Sequence, residues 1–259
     1  MTAPALDLGG VSAGYGRVRV LADVDVTVPA GSVVALLGAN GAGKTTLLRV
    51  AAGLLRATSG TVRMFGDDVS SASPVVRARR GLTMMPEGRG IFPGMTVRDN
   101  IYVLIPRRDR KEALDGATAL FPELSTRLGQ EAGTLSGGEQ QMLALARCYV
   151  RQPKLILLDE ISMGLAPLAI DRIYERVRSL AEAGTAVMLV EQYVHRALGL
   201  ASYAYVLTRG RIAFSGPAAE LGRDEVMARY LGTSEGPIKS DESGTTSSVH
   251  LTPTRTPEQ

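Results

Sequence analysis

Short apolar runs punctuated by turn residues dominate the N-terminal part of the chain. Leu6 to Leu8, Val18 to Leu21, Val24 to Val28 and Val33 to Leu37 predict strands, with Pro29-Ala30-Gly31 turning the chain between the last two. Ser59 to Gly66 predicts another strand, and Val75 to Arg80 a short helix leading into a strand at Leu82 to Met85. From about Met95 to Leu135 the pattern turns helical. Thr96 caps Val97 to Tyr102, and Lys111 to Phe121 places Leu114, Ala117 and Phe121 on one face. Strand and helix then alternate again: a helix from Glu139 to Val150, a strand at Leu155 to Leu158, a helix over Leu168 to Ala183, a strand at Ala186 to Val190 and a helix at Val194 to Leu200. Strands at Tyr203 to Thr208 and Arg211 to Ser215 flank an Arg209-Gly210 turn, and a last helix is expected at Glu225 to Leu231. Residues 233–259 are rich in Ser, Thr, Pro and Glu without periodicity, which predicts disorder. No internal repeat is visible.

Composition narrows the classes available. Hydrophobic residues are 45% of 259, enough for a sizeable core, and aromatics are only 5% with no Trp, so that core is aliphatic. Net charge is +3, without a long basic block or an aromatic-interleaved basic patch, which argues against nucleic acid as the main ligand. The clusters Arg77-Ala78-Arg79-Arg80 and Arg107 to Lys111 read as solvated helix faces or loops. Cys148, the sole cysteine, sits in a helical stretch and reads as a small buried hydrophobe; the composition fits a reducing compartment. Met1 to Ala5 has no basic segment followed by an apolar stretch, so no signal peptide is expected. No stretch approaches the ~20 apolar residues needed to span a bilayer, so another chain would do any spanning.

Three motifs carry chemistry. Gly38-Ala39-Asn40-Gly41-Ala42-Gly43-Lys44-Thr45-Thr46 follows the strand Val33 to Leu37 and opens a helix. Glycines let consecutive amides point at one anion, and the helix N-terminus adds partial positive charge. Lys44 reaches outer phosphates as a point charge, and the Thr45 hydroxyl suits magnesium. Leu155 to Leu158 ends in Asp159-Glu160, acids at the carboxyl end of a buried strand, where ligands bind in open α/β sheets. Asp159 would hold magnesium through its waters and Glu160 would polarise the attacking water. Leu135-Ser136-Gly137-Gly138-Glu139-Gln140-Gln141 makes a second capped, glycine-rich helix start. One active site hardly needs two such devices from one chain, so this one is expected to face the nucleotide of a second copy.

Together with Pro86-Glu87-Gly88-Arg89, Ile91-Phe92-Pro93, Met95-Thr96-Val97, Gly164-Leu165-Ala166-Pro167 and Val190-Glu191-Gln192, these motifs resemble the ATP-binding cassette ATPases over about residues 5–232, and within them the ATPase subunits of branched-chain amino-acid importers. The resemblance implies a P-loop α/β core with an antiparallel β subdomain and a helical subdomain inserted at about residues 95–139. It implies ATP and Mg2+ as cofactors. Tyr15 matches the aromatic that stacks on adenine. Gly38 through Thr46 match the phosphate loop, with Lys44 among the catalytic groups. Ser136, Gly137 and Gly138 match the motif that reaches the γ-phosphate across a head-to-tail dimer. Thr45, Glu87 and Asp159 match the magnesium site, Glu160 the catalytic carboxylate and Gln192 the γ-phosphate contact. Ser162 to Pro167 match the loop that couples the two sites.

Some positions depart from the wider family. Glu87 stands where most cassettes have Gln, and Gln192 where most have His; both resemble the branched-chain subfamily, and Gln192 cannot become cationic. His195, three residues on, reads as a solvated or packed helix histidine. Ile161 replaces the usual Pro, and the helical insert is short. The implied partners are transmembrane permease subunits, a second cassette of the same or a sibling kind, and an extracytoplasmic solute-binding protein reached through the permease. The implied location is the cytoplasmic face of the membrane. Urea or short-chain amide importers use similar ATPases. A soluble cassette acting on nucleic acid or ribosomes is the rival from another class, disfavoured by the single cassette and the lack of a coiled-coil insert. An exporter ATPase is disfavoured by the segment Pro86 to Val97.

Overall fold

The computed structural model describes residues 3–103, 105–191 and 193–222. Ten strands and eight α-helices form within them: β1 (Leu6–Tyr15), β2 (Val18–Val28), β3 (Val33–Leu37), α1 (Lys44–Ala51), β4 (Ser59–Met64), β5 (Asp67–Asp68), α2 (Pro74–Arg79), β6 (Leu82–Met85), α3 (Val97–Tyr102), α4 (Arg110–Leu120), α5 (Gly137–Tyr149), β7 (Leu155–Asp159), α6 (Pro167–Glu182), β8 (Ala186–Val190), α7 (Val194–Leu200), β9 (Tyr203–Thr208), β10 (Arg211–Pro217) and α8 (Ala218–Leu221). The expected helix at Glu225 to Leu231 and the tail at 233–259 lie outside the described residues.

Two sheets divide the strands. One is antiparallel in the order β2-β1-β4-β5; the other has six strands in the order β10-β9-β3-β8-β7-β6, parallel from β9 through β6 with β10 antiparallel on one edge. Every residue of β3, β7 and β8 is buried. Alternation decides which core each one enters. Val33, Ala35 and Leu37, with Ile156, Leu158, Val187 and Leu189, face the core shared with α3, α4, α5 and α6. Val34, Leu36, Leu155, Leu157 and Met188 face the core shared with α1 and the antiparallel sheet. A strand sandwiched this way needs aliphatic residues at both parities, which is why these runs carry no polar alternation. The sheets are tied at Tyr205, whose hydroxyl accepts from the Thr27 N–H at 3.0 Å.

The helical segment is cinched at its base. Val97 N–H donates to Gln130 O and Ala132 N–H to Met95 O, both at 2.9 Å. Asn100, fully buried, accepts from Phe92 N–H at 2.8 Å and donates to the carbonyls of Phe92, Met95 and Thr96. Thr96 caps α3 as expected, its hydroxyl accepting from Asp99 N–H at 3.1 Å.

Sequence and structure part company in a few places. Val18 to Leu21 and Val24 to Val28 are one strand, because the break at Asp23 is a left-handed residue (φ 56°) within the pairing rather than a turn. β1 runs on from Leu8 to Tyr15 through irregular register, so its glycines are absorbed as bulges. Arg77 is a correction: it is 2% exposed, not on a solvated face. Its guanidinium donates to Val50 O, Ala51 O and Val69 O, each at 2.7 Å, to Ala72 O at 3.2 Å and to Ser70 O at 3.4 Å. Two of those carbonyls are the last of α1, so a cation completes that helix's C-terminus. Burial lowers the pKa of the guanidinium.

Replacing Arg77 with Leu would remove all of these donations, leaving Val50 O and Val69 O only their bonds from Gly53 N–H and Ala72 N–H, and is expected to destabilise the fold by about 3 kcal/mol, a fall in Tm of roughly 6–12 °C. Arg77→Lys should recover only part, because one ammonium cannot serve carbonyls spread over a fork. Thermal melts of the three proteins check it; an unchanged Tm for Arg77→Leu would contradict it.

Candidate active site

Four consecutive parallel strands deliver their carboxyl ends to one edge of the sheet. β3 leads into the glycine loop, β8 into Glu191, β7 into Asp159-Glu160 and β6 into Pro86-Glu87. The glycine loop is shaped by contacts that permit no side chain. At Gly38 (φ 152°) an added Cβ would sit 2.3 Å from Leu207 O, and at Gly43 (φ 110°) 2.9 Å from the Leu21 side chain. The β9–β10 hairpin braces the loop: Gly210 N–H donates to Ala42 O at 3.0 Å and Gly210 O accepts from Ala22 N–H at 2.9 Å. That brace was not legible in the sequence, where Arg209-Gly210 read only as a turn.

Around the loop opens a pocket of about 410 Å³, walled by Val20, Asn40, Gly41, Gly43, Lys44, Thr45, Thr46, Glu87, Glu160 and Met163. Its size is within the range of small-ligand sites. Lys44 is 5% exposed; its ammonium donates to Gly38 O at 2.9 Å and Ala39 O at 3.2 Å and lies 3.7 Å from Glu160 Oε1. Glu160 occupies the left-handed region (φ 49°), a conformation costing on the order of 1–3 kcal/mol for a residue with a side chain. Its N–H donates to Val190 O at 2.9 Å, so the end of β8 helps hold that shape.

Asp159 is 2% exposed, and neither carboxylate oxygen has a hydrogen-bond partner among the described residues. Burial, with the charges of Glu160 and Glu87, raises its pKa and prevails over the Thr45 hydroxyl, which completes no hydrogen bond to it, and Lys44, which lower it. An orphaned buried carboxylate beside a hydroxyl fits a hard cation. Among the described residues no cluster of three or more His, Cys, Asp or Glu forms a metal cage. A cation here would therefore draw most of its ligands from water and phosphate oxygens, which is how magnesium is commonly held.

Tyr15 ends β1, 43% exposed, and accepts a hydrogen bond from Arg49 of α1 at 3.1 Å. Partial burial pushes its phenol up, but the bonds from Thr46 and Arg49 outweigh it and lower the pKa. Its ring therefore stands beside the helix that starts at Lys44. Ser136 caps α5 in a reciprocal box: its hydroxyl accepts from Glu139 N–H at 3.3 Å while its own N–H donates to Glu139 Oε2 at 2.9 Å. The cap makes Gly137 and Gly138 the first residues of α5, two earlier than expected. Ser136, Gly137 and Gly138 do not wall the Lys44 pocket; a Cβ at Gly138 would press to 3.1 Å on the Ala169 side chain of α6. Gln192 lies outside the described residues. His195 is exposed on α7 and Cys148 is buried, its thiol pushed up to about 12.

A phosphate-type loop at the carboxyl edge of a parallel sheet, with a lysine, a hydroxyl and two acids around one pocket, defines a nucleoside-triphosphatase. The profile of the family described as "ABC transporter" matches residues 21–162. The chain is 43% identical over 231 residues to the high-affinity branched-chain amino acid transport ATP-binding protein BraG of Pseudomonas aeruginosa, covering 88% of this chain and 99% of that one. It is 34% identical over 227 residues to the lipopolysaccharide export system ATP-binding protein LptB of Escherichia coli strain K12, covering 84% and 93%. Among solved structures, the ADP conformation of an ATP-binding cassette of an ABC transporter superposes with a TM-score of 0.78 at 25% identity, covering 90% of this chain and all (100%) of that one. The chain belongs to the ABC transporter family; it is an ATP-binding cassette, an ATPase coupled to transport. No helix among the described residues is long and apolar enough to cross a membrane.

A carboxyl whose folded pKa exceeds its unfolded value is disfavoured when charged, so its contribution to stability falls as pH rises from the unfolded toward the folded pKa. At neutral pH, Asp159→Asn is expected to raise the Tm of the nucleotide-free protein by about 2–4 °C, the shift that about 1 kcal/mol gives a chain of this size. With Asp159 as a ligand to magnesium, the same variant would gain no stabilisation from magnesium beyond that of ATP alone. A lower Tm without nucleotide, or an intact magnesium increment, would contradict the role.

Proposed function

We propose that this chain is the ATP-hydrolysing subunit of an importer for branched-chain amino acids. The observation that carries the reading is the convergence of Lys44, Thr45, Glu87 and Glu160 on one pocket, with the orphaned Asp159 against Thr45. Support for the solute comes from the 43% identity to a protein named for branched-chain amino acid transport. Urea, short-chain amides and other small polar solutes are alternatives of the same class. Export is the second reading, favoured by the 34% identity to a lipopolysaccharide export protein.

Gly38 to Thr46 would cradle the phosphates of ATP with backbone amides and the N-terminus of α1, and Tyr15 would stack on the base. Lys44 would turn its ammonium to the outer phosphates. Thr45, Asp159 and Glu87 would hold magnesium, which supplies charge neutralisation at the phosphates when bound. Glu160, already 3.7 Å from Lys44, would orient water for in-line attack. Gln192 would hydrogen-bond the γ-phosphate. Ser136, Gly137 and Gly138, away from the chain's own pocket, would complete the site of a second cassette, identical or sibling. Permease subunits at the cytoplasmic face would convert closure of the pair into solute movement, with an extracytoplasmic binding protein delivering the solute.

Glu160→Gln is expected to bind ATP as the wild type does while turnover falls by at least about 100-fold, and to persist as an ATP-dependent dimer in light scattering. Undiminished steady-state hydrolysis would overturn the assignment. For the solute, recovery of the membrane partners and ligand binding by the associated receptor decide: a branched-chain amino acid is the expected ligand, and a lipopolysaccharide-handling assembly would favour export.

A further inference from the structure

Beyond β8 the chain buries a second carboxylate. Glu191 is 1% exposed. Burying a carboxylate is costly unless its oxygens are bonded. Both are bonded to one residue: Ser162 N–H donates to Oε1 at 3.0 Å and the Ser162 hydroxyl to Oε2 at 2.5 Å. Ser162, also 1% exposed, stands two residues after Glu160 at the start of the loop that leads into α6. Tyr174 of α6 borders the same pair; burial, then the charge of Glu191, pushes its phenol up. The far end of the loop is tied as well. Arg196 of α7 donates to Pro167 O and pairs with Asp171, both at 3.3 Å. With the bond from Glu160 N–H to Val190 O, the loop after Glu160 is fastened near its start to the end of β8 and Glu191, and at Pro167 to α7. Neither Glu191 nor Ser162 walls the pocket around Lys44.

We propose that Glu191 is a positioning residue for hydrolysis: its buried carboxylate latches Ser162 and so holds Glu160 in its left-handed backbone conformation against Lys44. The inference rests on the reading that Glu160 orients the attacking water. A strained residue keeps its shape only where its surroundings over-determine it, and the paired bonds at Ser162 do so here. Without Glu191 the Ser162 amide would be buried and unpaired, with only the Tyr174 hydroxyl left beside the Ser162 hydroxyl, and the loop would shift to reach water, carrying Glu160 with it. The phosphate loop belongs to β3 and α1 and would stay in place, so the loss falls on turnover and not on ATP affinity.

The test uses the full chain, with steady-state ATPase kinetics, nucleotide titration and hydrogen exchange at the 160–167 segment. Glu191→Ala is expected to lower kcat about 10–100-fold with the ATP dissociation constant within about twofold of wild type, and to speed exchange of the Ser162 amide. Glu191→Gln keeps an acceptor for that amide, and the Ser162 hydroxyl can turn to accept from the new NH2 group, so most of kcat should return. Wild-type turnover in Glu191→Ala would overturn the proposal. So would a parallel loss of kcat, ATP affinity and Tm that Glu191→Gln does not rescue. If Glu191→Ala fails to fold, a double-mutant cycle of Glu191→Gln and Ser162→Ala carries the test: coupling is expected, and strict additivity would contradict it. A wild-type chain that binds ATP without hydrolysing it, even with its permease, would instead sink the hydrolytic reading; the Ser162 exchange comparison would still decide whether the latch exists.

Discussion

Parallel alignment of β3, β8, β7 and β6 is the constraint on which the rest of this protein depends. Parallel strands share a carboxyl edge, and whatever follows each strand emerges side by side there. The order of strands places the glycine loop, Glu191, Asp159-Glu160 and Glu87 along that edge in sequence-distant but adjacent positions. Holding the edge flat against its two cores requires aliphatic residues at both parities, and β3, β8 and β7 as far as Leu158 supply them. The site is thus a by-product of how the core is filled: the same residues that exclude water from the sheet set the separation of the groups beyond it.

The edge is also where stability is given up. Asp159 is buried without a completed hydrogen bond, three carboxylates crowd one ammonium, and Glu160 sits in a disfavoured backbone region. Fixed charges and strain of this kind persist only when the surroundings hold them. The supports are visible: the Gly210 hairpin under the phosphate loop, Arg77 at the far end of α1, and the Glu191–Ser162 pair beneath Glu160. Rigid support suits phosphoryl transfer, in which a protein contributes mainly through placement and charge.

Much of this was legible in the chain. Strands at Leu82–Met85 and Ala186–Val190 and the helix at Val194–Leu200 fall where the hydrophobic pattern puts them, because short apolar stretches bounded by turn and polar residues leave few other readings. The glycine loop opening α1 and the Asp159-Glu160 end of β7 were readable because residue types at fixed spacing follow a buried strand there. What escaped were features decided by distant partners. Asp23 looked like a break and is a bulge; Arg77 looked solvated and is enclosed by carbonyls from α1 and the Val69–Ala72 segment. Glu191 was visible only as part of a motif, since a carboxylate's burial depends on a serine 29 residues away. The start of α5 was read two residues late because helical glycines are poor predictors until the Ser136–Glu139 box is seen closed.

The Lys44 pocket and the Ser136 helix start are expected to be two halves of one site, each supplied by a different chain. One measurement tests it directly. Lys44→Ala disables the first half and Ser136→Glu the second, so each variant alone is expected to be inactive, while an equal mixture forms some pairs with one complete site. Under conditions in which the wild type hydrolyses ATP by itself, the mixture should regain activity that neither variant shows. A mixture as inert as its components, or a Ser136→Glu chain hydrolysing at full rate as a monomer, would show that no site is shared between chains.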